Sequence, residues 1–118
     1  MLSRSSFILL IIIFFSCASD PELVIPTYQI RYKVEGSAQI ASISFMDENT
    51  QGKILSNEQL PWEYEFNKKV PQHTYLYLSA QHNEIQGIII VVIYRNETVF
   101  KSDTSIGEYA TASAFGTL

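Results

Sequence analysis

The chain is short of the residues that most often announce a chemistry. It has one cysteine, two histidines and eight basic residues in 118. A lone cysteine excludes an intrachain disulfide, so a domain of this size has to be held by its hydrophobic core. The histidines, His73 and His82, fall short of the three protein ligands usual for catalytic zinc, and no His-x-x-His spacing occurs. Both are expected in polar surface loops, and His82 with Glu84 makes at most a weak metal pair. The longest basic run is Lys68-Lys69, too little for a nucleic-acid footprint. No Gly-x-Ser-x-Gly elbow and no phosphate-cradling glycine loop occurs. Glu63 and Glu65 alternate with aromatic residues on one strand and are expected in water, not paired in a cleft. The composition therefore points away from enzymes, and no cofactor or metal is expected.

What is present begins at the amino terminus. Arg4 precedes an unbroken apolar run, Phe7 to Phe15, followed by Ser16 and Cys17. A charged n-region, an apolar h-region and a small residue are the parts of a secretory signal. The run is too short for a membrane span, which needs roughly 20 apolar residues. With Cys17 directly behind it, the segment resembles a bacterial lipoprotein signal. That resemblance implies cleavage before Cys17, diacylglycerol on its thiol and a membrane-anchored location in the cell envelope, with the outer membrane expected. More than one acyl chain is what makes such an anchor stable. The expected organisation is a leader over 1–16, a tether over 17–26 that Pro21 and Pro26 keep out of helix and sheet, and one domain over 27–118. All twelve acidic residues and seven of the eight basic ones follow residue 16, so the exported part carries a net charge of −5.

Beyond Thr27 the hydrophobic period is two. Tyr28, Ile30, Tyr32 and Val34 alternate with polar residues, and Gly36-Ser37 ends the segment. Ala41, Ile43 and Phe45 predict a second strand, and the polar stretch Asp47 to Gly52 a turn. Trp62, Tyr64 and Phe66 predict a third, and Leu76, Leu78 and Ala80 a fourth. Ile88 to Ile93 is β-branched or apolar throughout and reads as a central strand covered on both faces, or as one covered by a partner. Arg95 to Thr98 predicts a hairpin turn, with Val99 to Asp103 pairing back and Gly107 to Phe115 closing the chain. Gln81 to Gln86 is left as a helical turn or loop. The expected fold is all-β: a small antiparallel immunoglobulin-like sandwich of about seven strands.

With the strands placed, the chain resembles the MmpS family of small mycobacterial membrane proteins. The match is carried by Tyr32-Lys33-Val34-Glu35-Gly36, by Ala41 through Asn49, by Leu60-Pro61-Trp62, and by Gly87-Ile88-Ile89-Ile90 with Gly107-Glu108-Tyr109-Ala110 beyond. Two features depart from it: family members usually have an amino-terminal membrane helix, and many carry cysteines in the last strands, where this chain has none. The resemblance implies a transport-accessory protein that binds a protein partner, a lipid- or siderophore-exporting transporter in the mycobacterial members. Tyr75 and Tyr77, on one face of their strand, are the candidate partner-binding residues, because aromatic side chains with a polar tip suit interfaces. A surface glycan-binding or adhesin module using the same tyrosines is the alternative.

Overall fold

The computed structural model describes residues 25–69 and 74–118. Cys17, the leader, most of the tether and the Pro71-Gln72-His73 connection lie outside them. Eight strands form: β1 (Thr27–Gly36), β2 (Ile40–Met46), β3 (Gly52–Gln59), β4 (Trp62–Lys69), β5 (Tyr75–His82), β6 (Ile88–Arg95), β7 (Thr98–Ile106) and β8 (Thr111–Thr117). They make two antiparallel four-stranded sheets, ordered β4-β1-β6-β7 and β3-β2-β5-β8. This is the expected β-sandwich, with one strand more than the sequence pattern shows.

The alternation decides the core. Ile30, Tyr32 and Val34 of β1 and Ile89, Val91 and Ile93 of β6 meet Ile43 and Phe45 of β2 and Leu76 and Leu78 of β5. Each large apolar side chain buried this way contributes about 1.5–3 kcal/mol. On β8 the inward positions are small: Ala112, Ala114 and Gly116. Phe100 of β7 and the stem of Lys101 occupy the space that a β-carbon on Gly116 would take. The sheets thus approach closely along β7 and β8, and the Asp103 carboxylate accepts the Ser113 N–H at 3.0 Å across that edge. Among the described residues, every strand of both sheets pairs with another, and the core is drawn from the same strands and the turns that join them.

Three expectations change. Gly52 to Gln59 is a strand that the sequence hides: only Leu55 packs against the core, and a bulge shifts the register opposite Ala41 and Ile43. The apolar run of β6 is central in its sheet, as expected, but among the described residues a second layer covers its inner face alone; outside, Val92 is covered by strand neighbours and Ile88 stays exposed. Gln81 and His82 extend β5 rather than starting a turn. The Arg95–Thr98 hairpin is as predicted, with Asn96 and Glu97 both at positive φ, which is the two-residue turn that matches the twist of paired strands.

The connections β1–β2, β3–β4, β5–β6 and β7–β8 gather at one end, the upper end. The opposite, lower end holds the start of β1, both hairpins (β2–β3 and β6–β7), the end of β4, the start of β5 and the end of β8.

Candidate functional site

The upper end carries a groove of about 480 Å³ lined by Ser37, Gln86, Gly87, Ile88, Ile106 and Gly107. Its walls are backbone held by backbone. Ser37 N–H donates to the Ile88 carbonyl at 3.1 Å, and Ile88 N–H donates back to Ser37 Oγ at 2.8 Å. Gly107 N–H donates to the Gly87 carbonyl at 2.9 Å, and Tyr109 N–H to the Glu84 carbonyl at 3.0 Å. The groove is therefore preformed. Around it stand side chains that a folded monomer has no reason to leave in water: Ile85 is 74% exposed, Ile106 73% and Tyr109 50%. The charges at this end are mostly carboxylates, Glu35, Glu58, Glu84 and Glu108, of which Glu35 is paired with Lys33 at 3.5 Å. An apolar patch with a polar rim marks an interaction site.

This surface was not legible as a site. Ile85, Ile88 and Ile106 read as strand or loop residues, and only the folding of the β5–β6 and β7–β8 connections to one end brings them together. His82 is corrected too. Its ring is buried at the end of β5, where Nδ1 accepts the Glu84 N–H at 3.0 Å. Gly87 leaves room for that ring, since a β-carbon there would sit 3.0 Å from Nε2. His82 and Glu84 are thus joined through the Glu84 backbone rather than as a metal pair. Among the described residues no cluster of ligating side chains is suited to a metal ion.

Tyr75 and Tyr77 lie on the outer face of β5, as expected, but at the lower end. Tyr75 is 42% exposed and Tyr77 half-buried. Phe115, opposite Tyr77 on β8, is 55% exposed, with its ring 6.4 Å from that of Tyr75. The strand pairing thus adds a third aromatic that the sequence reading did not connect with the first two. Glu63 and Glu65 are solvent-facing carboxylates, each 3.7 Å from Arg31. Arg31 also stacks on Tyr94 at 4.0 Å and meets Glu97 at 3.4 Å.

Beneath the β2–β3 hairpin lies a polar cluster of a different kind. Asp47 Oδ1 accepts the N–H groups of Asn49 and Gln51, each at 2.9 Å, and these bonds, Gln51's foremost, hold its carboxyl below its ordinary value of 3.8. Tyr64 donates to the Glu48 carboxylate. That bond lowers the Glu48 carboxyl and pushes the Tyr64 phenol up to about 12. Tyr32, buried between the sheets, donates to the Met46 carbonyl at 2.7 Å, and burial raises its phenol well above the usual range. Every polar group here serves the hairpin, and none faces a cleft.

The fold is a small antiparallel β-sandwich with a preformed groove at its upper end. The chain belongs to the Mycobacterium membrane protein family, whose sequence profile matches residues 14–102, from inside the amino-terminal apolar run to β7. A comparison with curated proteins returns no match. The family is one of membrane proteins, which agrees with the MmpS resemblance of the strands.

Proposed function

We propose that this protein is a lipid-anchored, non-enzymatic accessory subunit of the cell envelope that docks a membrane-transport partner in its upper groove. The observation that carries the reading is the grouping of Ile85, Ile88, Ile106 and Tyr109 around a groove held open by backbone hydrogen bonds. Exposed apolar side chains lose unfavourable contact with water when covered, and a rigid groove keeps the ordering cost of binding low. The carboxylates nearby favour a partner segment with an apolar side chain flanked by lysine or arginine. The groove lies at the end away from the amino-terminal strand start, so a chain held at Cys17 would present it outward.

The test is co-purification from native membranes in mild detergent. A transporter identified by mass spectrometry is expected with the wild-type chain and with Tyr75→Ala/Tyr77→Ala, but not with Ile85→Asp/Ile106→Asp. Both substituted isoleucines are largely exposed, so the fold should survive. Recovery of a solitary monomer across several detergents would overturn the reading.

A further inference from the structure

The lower end is built unlike the upper one. Lys53, Lys68, Lys69, Arg95 and Lys101, five of the seven cations among the described residues, lie there. Three carboxylates share this end: Asp47, which accepts the Asn49 and Gln51 amides and lies 3.8 Å from Lys53, Glu48, which accepts from Tyr64, and Glu97, which meets Arg31, so the five cations still outnumber them. Lys69 and Lys101 are exposed, and among the described residues neither makes an ion pair. The exposed Tyr75, Phe115 and Val99 lie at the same end. The Arg95 guanidinium lies over the Phe100 ring at 4.6 Å, and the Lys101 ammonium is 5.4 Å from the same ring. The chain enters the sandwich at this end, and Thr27 lies ten residue steps after Cys17, a reach of about 35 Å when fully extended.

We propose that the lower end is a bilayer-facing surface that rests on anionic phospholipid headgroups. Cations draw such a surface toward negative lipid within a Debye length. Aromatic rings with apolar bodies settle at headgroup depth, where one part of the ring is dry and the rest is wet. The acidic upper end is repelled by the same field, so the contact also sets an orientation. Tyr75 and Phe115 thereby become membrane contacts rather than protein contacts. The proposal rests on the amino-terminal segment reaching a membrane, not on the chemistry that holds it there.

The test uses residues 25–118 tethered through an amino-terminal hexahistidine to nickel-chelating lipid, so the result does not depend on acylation of Cys17. Amide hydrogen exchange is compared on vesicles of phosphatidylglycerol and of phosphatidylcholine. The amides of 96–101 and 115–118 are expected to exchange about tenfold more slowly on the anionic vesicles, and the upper loops at equal rates on both. High salt, or Lys69→Glu/Lys101→Glu, should remove the difference while core amides stay protected. Equal exchange on both lipids would overturn the proposal. So would stronger protection of the same amides by a soluble acidic polysaccharide, which would assign the surface to glycans.

Discussion

Tyr32 shows what one hydroxyl does in this core. Its ring fills the space among Phe45, Tyr64 and Phe66, while its oxygen reaches the Met46 carbonyl at the edge of the β2–β3 hairpin. Tyr32→Phe keeps the ring and strands that carbonyl, so it should cost about 1–3 kcal/mol in urea unfolding. Asp47 acts on the same hairpin through charge. Its carboxyl and that of Glu48 lie below their ordinary values of 3.8 and 4.5. Between the folded and unfolded values the unfolded chain binds more protons, so stability rises with pH there. The contribution is complete above those ordinary values and is lost as pH falls through the lower, folded ones. Thermal melts across this range should show a steep acid limb for the wild-type chain. Asp47→Asn should lower the neutral melting temperature and flatten the limb; an unchanged limb would remove Asp47 from the account. Tyr64 gives the mirror case. Its phenol is raised to about 12, so the stability it lends is present below pH 10 and fades as the pH rises through 12.

At the scale of elements, the end of β1 depends on one glycine. Gly36 has φ +150°, and a β-carbon there would lie 2.0 Å from the Ile88 carbonyl oxygen of the paired strand β6. Backbone cannot yield as a flexible side chain can, so Gly36→Ala should fail to fold or unfold far below the wild-type temperature. Gly107 has a similar φ, +136°, but open space around the missing β-carbon. Gly107→Ala should therefore cost only backbone strain, about 1–3 kcal/mol. Melting curves of the two variants separate steric contact from conformation. Most elements were legible because period-two alternation has one physical cause, a strand with one dry face and one wet face. The alternation at Tyr28–Val34, Ala41–Phe45, Trp62–Phe66 and Leu76–Ala80 matches the burial seen. β3 was not legible because, at the sheet edge, only Leu55 and no regular alternation is needed to hold it. His82 was misread because a histidine after Ala80-Gln81 and before Asn83-Glu84 looks polar, whereas β5 continues long enough to carry it into the core.

For the whole molecule, the two ends differ in chemistry. The amino-terminal strand start, most cations and several exposed aromatics share one end; the apolar groove and an excess of carboxylates share the other. A domain held at Cys17 would therefore meet the membrane and its partner with different surfaces. Cys17→Ser should abolish incorporation of a labelled fatty acid and release the chain from washed membranes. Continued membrane retention with a cleaved leader would overturn the anchor reading while leaving the sandwich and its groove untouched.

By itself, the sequence determined that the chain is all-β, which residues face inward, where most turns fall and which family its strands resemble. These follow from local facts: side-chain alternation, turn-forming residues and short motifs in order. Only the tertiary structure decided what the surfaces are. Ile85, Ile88 and Ile106 become a groove because the β5–β6 and β7–β8 connections fold to the same end, and Phe115 joins Tyr75 because β8 pairs with β5. Residues so distant along the chain are brought together by strand order, which no local pattern encodes.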